Sequence, residues 1–199
     1  MNHKNLSIPL PARRERIRSA ATSWVERFEY TGKRYYLKTY VYRGARAWLR
    51  GAFRNTFLAP SRARREWRAL RHLAAAGIQP DLAVDLVEKR RFGCLLEARL
   101  LTREFAGQDL ETRLLENRPL SATEREELER FVRRLHESGL RDPDLKARNI
   151  LLRGEGAEVA FAKIDSSSSW LVRPGDRLDA ARKRDLAILA ADLARLAGS

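Results

Sequence analysis

The chain has 199 residues, 44% of them hydrophobic, and carries 40 Lys and Arg against 26 Asp and Glu, a formal charge of +14. This length can bury one substantial core or two small lobes, and the apolar content excludes wholesale disorder. The charge excess points to polyanionic partners, whether nucleic acid, anionic lipid or phosphorylated small molecules, and carries no information on fold.

Cys94 is the single cysteine, so no internal disulfide can form. It reads as a small buried hydrophobe, in keeping with a reducing cytoplasm. No apolar run is long enough to span a bilayer, and MNHKNLSIPLPARRER lacks the apolar core of a secretory signal.

FEYTGKRYYLKTYVY, residues 28–42, is aromatic and β-branched with a break at Thr31-Gly32, which predicts a hairpin with Lys38 in its second strand. RARREWRALRHLAAAGI then predicts a helix capped by Ser61 and stopped by Gly77, with Trp67, Leu70 and Ala74 on one face and Glu66 along it. Two strands are predicted at 82–89 and 94–101, about a turn at Phe92-Gly93. Ser121-Ala-Thr-Glu124 has the form of a capping box, and Leu128, Phe131, Val132 and Leu135 behind it follow helical spacing as far as Gly139. Residues 150–152 and 158–164 read as short strands around a Gly154–Gly156 turn. The last helix sets Leu186, Leu189, Ala190 and Leu193 on one face. The expected class is α+β in one domain: a sheet lobe with one helix over about 20–101, a connector over 102–109, and a reduced, mainly helical lobe over 110–199, with a cleft between the halves.

The stretch LRDPDLKARNILL, residues 140–152, groups carboxylates, a cation and an amide before an apolar run. Phosphoryl transfer from ATP requires a cation on the nucleotide phosphates, a residue that holds it, ligands for magnesium, and a carboxylate facing the attacking hydroxyl. Asp144 suits that carboxylate. Asn149 offers a side-chain oxygen to a metal, and Asp165 follows a strand and can hold Mg across the phosphates. Lys38 supplies the cation and Glu66 its ion-pair partner. His3, His72 and His136 have no metal-ligand spacing and read as structural or solvated.

DLKARNILL after LHESGL resembles the catalytic loop of the protein-kinase-like fold. YYLKTYVYRG, SRARREWRALRHLAAAGI, LLTREFAGQDL, DPDLKARNILL and AKIDSSSSW resemble the bacterial lipopolysaccharide core (Kdo/heptose) kinases, over most of the chain from residue 28 onward. The resemblance implies a compact kinase-like fold and phosphorylation, with ATP and Mg, of an inner-core sugar hydroxyl at the cytoplasmic face of the inner membrane. It makes Asp144 the base, with Lys38 and Glu66 completing the catalytic set. Lys38, Asn149 and Asp165 contact the nucleotide or its metal, and the Leu101–Phe105 backbone, including Glu104 and Phe105, contacts adenine. Lys146 and Arg148 can neutralise substrate phosphate.

Three features depart from the kinase pattern. Asp142 stands where a histidine is usual, and could pair with Arg141 or another arginine. Asp165-Ser166-Ser167 retains the metal ligand without the aromatic switch, so no in/out movement of Asp165 is expected. The glycine-rich turn over the phosphates is missing. Between residues 43 and 71 nine arginines accompany one acid, Glu66, with Trp48, Leu49, Phe53, Phe57 and Leu58 interleaved. The pattern suits an interfacial segment on anionic lipid, an amphipathic helix with solvated arginines, or single-stranded nucleic acid. Arg46, Arg50 and Arg54 are accordingly expected to assist docking to a phosphorylated glycolipid or an anionic membrane surface. The competing functions are a pseudokinase that binds lipid or a protein without turnover, and a basic RNA-binding module.

Overall fold

The computed structural model describes residues 6–42, 60–172 and 178–197. It divides into two units, Met1–Arg68 with Leu82–Glu104, and Ala69–Asp81 with Phe105–Ser199. The architecture is α+β.

The first unit is built on a five-stranded antiparallel sheet in the order β1-β2-β3-β5-β4. Its strands are β1 (Glu15–Ala20), β2 (Ser23–Tyr30), β3 (Lys33–Val41), β4 (Ala83–Arg91) and β5 (Cys94–Arg103). The β2–β3 and β4–β5 turns fall at the predicted breaks. In each the two central residues have positive φ, 49° and 71° at Thr31 and Gly32, and 50° and 79° at Phe92 and Gly93. That is the type I′ geometry whose twist matches paired strands. The sequence reading has no β1: all six of its residues are exposed, so it carries no apolar alternation to betray it.

Alternation along β3 feeds two cores. Tyr35 and Leu37 pack with Phe28 and Leu101 on one face, covered by Leu6, Ile8 and Leu10 of the N-terminal segment. Tyr40 and Tyr42 join Leu95, Ala98, Leu100, Ala63 and Trp67 in a second core. Ala63 and Trp67 belong to α1 (Arg62–Ala75). The Ser61 hydroxyl accepts from the Arg64 N–H at 2.9 Å and caps this helix as expected. At its other end the N–H groups of Gly77 and Ile78 donate to the carbonyls of Ala74 and Leu73, a Schellman closure that uses the positive φ of Gly77. The buried stripe is Ala63, Glu66, Ala69, Leu70 and Leu73. Of the face expected to carry Trp67, Leu70 and Ala74, Leu70 is buried, Trp67 packs half-buried against the second core and Ala74 is half-buried. Cys94 is also half-buried, at the strand start beside the turn.

The second unit holds β6 (Gln108–Asp109), α2 (Leu110–Leu115), α3 (Ala122–Glu137), β7 (Leu140–Arg141), β8 (Ile150–Arg153), β9 (Ala160–Lys163), β10 (Trp170–Leu171) and α4 (Leu178–Ala197). The capping box at Ser121 and Glu124 is complete. α3 buries Leu128, Phe131, Val132 and Leu135 as predicted, together with His136. β6, β8 and β9 form one small sheet, and β7 with β10 another. On α4 the buried positions are Asp185, Leu189 and Leu196, whereas Leu186 and Ala190 are exposed. Leu189 and the half-buried Leu193 keep half of the expected face on the core, and the stripe continues through Asp185 instead of Leu186.

Candidate active site

Lys38 lies mid-strand in β3, opposite Val25 of β2 and Leu100 of β5. Its Nζ meets Oε1 of Glu66 at 2.5 Å, with 15% of the lysine side chain and 1% of the glutamate side chain exposed. The Tyr40 hydroxyl lies 3.4 Å from the second Glu66 oxygen. Burying such a pair costs desolvation of both ions, so its presence is weak evidence for stability. It fixes where a cation sits. Glu66 is the lone acid on a strongly basic helix, and its place in the apolar stripe distinguishes it from a surface partner of the surrounding arginines.

The loop after β7 brings Asp144 and Asn149 together. The Asn149 amide donates to the Asp144 carbonyl at 2.9 Å and to its carboxylate at 3.1 Å. With the amide hydrogens so directed, Oδ1 of Asn149 is the side-chain atom available to a cation. The other Asp144 oxygen pairs with Lys146 at 2.8 Å, with Arg148 3.8 Å away. Burial pushes the Asp144 carboxyl up, but Lys146, Asn149 and Arg148 outweigh it and hold the carboxyl below its ordinary range. It is therefore ionised at neutral pH, as a hydroxyl-orienting base requires.

Asp165 follows β9 and is tied to the same loop, since the N–H of Ile164 donates to the Asn149 carbonyl at 2.9 Å. Its φ is 52°, uncommon for a residue other than glycine and of the kind found at functional sites. The Asn149 amide oxygen and the Asp165 carboxylate are hard oxygen donors, and so fit magnesium, which completes its shell with phosphate oxygens and water.

Asp142 departs from the expected pairing. Its partner is Lys163 at 2.7 Å, both side chains being buried, while Arg141 donates to the carbonyls of His136 and Leu140. One Asp142 oxygen accepts the Asp144 N–H at 2.9 Å. The carboxylate of Asp185 accepts the Asp142 N–H at 3.0 Å, and that of Asp192 accepts the Ala147 N–H at 2.9 Å. The sequence reading overlooked Lys163, Asp185 and Asp192. The available signal was on α4: acids at 185 and 192 share a helical stripe with Leu189 and Leu196, and acids on an apolar stripe hold something.

Leu101 is fully buried in the first sheet between β3 and β4, so its backbone is committed to the ladder. The chain leaves the sheet after Arg103, at Glu104 and Phe105. The Glu104 carboxylate takes hydrogen bonds from Arg34 and Tyr36, each at 3.1 Å. The Arg153 guanidinium stacks on the Phe105 ring, 5.0 Å from its centroid. His72 contacts the Ser138 carbonyl at 2.8 Å, and His136 faces Asp185 at 3.4 Å. Arg46, Arg50, Arg54 and His3 lie outside the described residues. A cleft of about 490 Å³ is lined by residues 6–10 with Val87 and Arg99, and holds none of the site residues.

The sequence profile of the lipopolysaccharide kinase (Kdo/WaaP) family matches residues 11–196. A search of curated proteins gave no match. Among solved structures, one described as WaaP in complex with acyl carrier protein superposes with a TM-score of 0.67. The match covers 89% of this chain and 70% of that one, at 24% sequence identity. The shared fold is the kinase-like α+β fold. Since the profile spans nearly the whole chain, the protein belongs to the lipopolysaccharide kinase (Kdo/WaaP) family and is a kinase of the lipopolysaccharide core.

Proposed function

We propose that this kinase transfers the γ-phosphate of ATP to a hydroxyl of an inner-core sugar, Kdo or heptose. The observation that carries the reading is the Asp144–Asn149 contact, which pairs an ionised carboxylate with an amide whose hydrogens are engaged and whose oxygen is left as the atom to meet a cation. Asp144 orients the acceptor hydroxyl and takes its proton as the oxygen attacks the γ-phosphorus, and ADP leaves. From the first unit, Lys38 contacts the nucleotide phosphates and Glu66 fixes its position. Asn149 and Asp165 are the residues to hold magnesium, which when bound neutralises charge developing on the phosphates. Glu104 and Phe105 border the adenine, and Lys146 and Arg148 face acceptor phosphate.

Arg46, Arg50 and Arg54 dock the protein to the phosphorylated glycolipid or to anionic lipid, as a peripheral protein on the cytoplasmic face of the inner membrane. Among the described residues no helix is long and apolar enough to cross a membrane. An acyl carrier protein, present with the structural relative, is a candidate protein partner to test by copurification.

A second reading, a lipid- or partner-binding protein without turnover, rests on the first hairpin. Ala21 and Thr22 form the β1–β2 turn, and no glycine brings backbone N–H groups close to phosphate there. Calorimetric titration of ATP with and without Mg on the wild type and Asp165→Ala separates the two. The kinase reading requires Mg-dependent binding that Asp165→Ala weakens at least tenfold; no binding by folded wild type supports the second.

A further inference from the structure

We infer that the buried Asp142–Lys163 pair is a positioning device that sets the base loop against the strand leading to Asp165. Lys163 is held on three sides. Gln79 accepts its N–H at 2.8 Å and donates to its carbonyl at 3.3 Å, clamping the backbone two residues before Asp165. The Lys163 ammonium, 0% exposed, meets Asp142 Oδ2 at 2.7 Å and donates to the Ile164 carbonyl at 2.5 Å. Asp142 Oδ1 then accepts the Asp144 N–H. One lysine thus fixes a carboxylate whose second oxygen fixes the backbone of the base, while its own backbone fixes the metal-ligand strand. Two buried hydrophobes would serve packing as well as or better than this pair, so its use lies in register.

This inference rests on Asp144 being the base. The test compares Asp142→Ala/Lys163→Met with Asp142→Asn/Lys163→Met, in both of which the two charges of the pair are removed together, the second keeping an oxygen acceptor for the Asp144 N–H. The Ala/Met variant should lose about tenfold or more in kcat with KM for ATP within about twofold, and its Asp144 amide should lose hydrogen-exchange protection. The Asn/Met variant should recover both. Equal kcat and equal protection in the two variants would overturn the inference, and protection decides it even for a variant too slow to assay. If Asp144→Ala keeps wild-type turnover, the base assignment fails instead.

β10 puts Trp170 and Leu171, 44% and 46% exposed, antiparallel to Arg141 and Leu140, so Trp170 pairs three residues before Asp144. Trp170 and Leu171 form an adjoining exposed apolar pair on the strand beside this loop, and the amphipathic indole is a side chain suited to interfaces. Lys146 and Arg148 are exposed on that loop, at 37% and 45%. An exposed indole paired to the strand that leads into a cation-bearing loop matches a sugar ring bearing anionic substituents, whose C–H face stacks on indole while its charges meet cations of the loop.

Resting on the proposed sugar acceptor, we propose that Trp170 is the stacking platform of the acceptor site. Calorimetry with delipidated core oligosaccharide should show about tenfold weaker binding by Trp170→Ala, near-wild-type binding by Trp170→Phe, and unchanged ATP affinity. Equal oligosaccharide affinity in wild type and Trp170→Ala would overturn the platform. No oligosaccharide binding by folded wild type that still binds Mg–ATP would overturn the sugar acceptor and the platform with it.

Discussion

The Asn149 side-chain amide donates to both the carbonyl and the carboxylate of Asp144. The proposed base and the proposed amide ligand are therefore one hydrogen-bonded unit: removing the Asn149 side chain frees the Asp144 carboxylate, whereas removing the Asp144 carboxylate leaves Asn149 its bond to the backbone carbonyl. Asn149→Ala should lower kcat on the order of 10²-fold and weaken the Mg dependence of ATP binding. Asn149→Asp should also impair turnover, because a second carboxylate beside Asp144 raises its pKa. Steady-state transfer assays over a Mg series check both.

Glu66→Gln keeps the shape of the side chain and removes the charge that holds Lys38. The expected result is a rise of about tenfold in KM for ATP, worth about 1.4 kcal/mol of nucleotide binding, with an unchanged far-ultraviolet circular dichroism spectrum. Unchanged KM would make the pair structural only.

The fold was legible wherever apolar period and punctuation agreed. Thr31-Gly32, Phe92-Gly93, Ser121 and Gly139 each mark an element boundary, because turns and caps are decided by local backbone chemistry. β1 was hidden, since an exposed edge strand held by backbone pairing has no apolar face to display. α2, six residues long, is too short to show a helical period. Of the candidate site, the Asp144–Asn149 contact lies within one short loop and is legible from spacing, and Asp165 follows a strand whose Ile164 N–H bonds to that loop. The site was not legible at Lys163 and Asp185, whose partners lie 21 and 43 positions away from them at Asp142. Charge pairs across such separations leave no local pattern, and the partners considered for Asp142 are Arg141 beside it or another arginine.

Glu88 ties the β4–β5 hairpin to the start of α1. Burial pushes its carboxyl up, but hydrogen bonds from Arg64 and Ser61 and the charges of Arg64 and Arg90 prevail and hold it at about 2 against an ordinary 4.5. A depressed folded value stabilises the fold above the unfolded value and is lost as pH falls through the folded one. Wild type should therefore lose stability between about pH 4.5 and 2. Glu88→Gln should show a shallower loss over that window in chemical unfolding, and equal slopes would count against the account.

Gly107 lies against the Leu152 carbonyl where β6 meets β8. A Cβ there would collide with that backbone oxygen, which cannot move without disturbing the ladder. Gly107→Ala should destabilise by about 1–3 kcal/mol, read as a lowered denaturation midpoint. Gly32→Ala, with open space around its Cβ but a φ of +71°, should cost only the strain of that backbone, about 1–2 kcal/mol.

Transfer of phosphate from ATP to a core sugar through Asp144 can be read directly. The most direct measurement is transfer from γ-labelled ATP, with Mg, to purified core glycolipid by wild type and Asp144→Ala, with the labelled position read by mass spectrometry. The account predicts a phosphorylated Kdo or heptose with wild type and a loss of about 10²-fold or more with Asp144→Ala at unchanged ATP affinity. No transfer by folded, ATP-binding wild type, or equal transfer by Asp144→Ala, would contradict it.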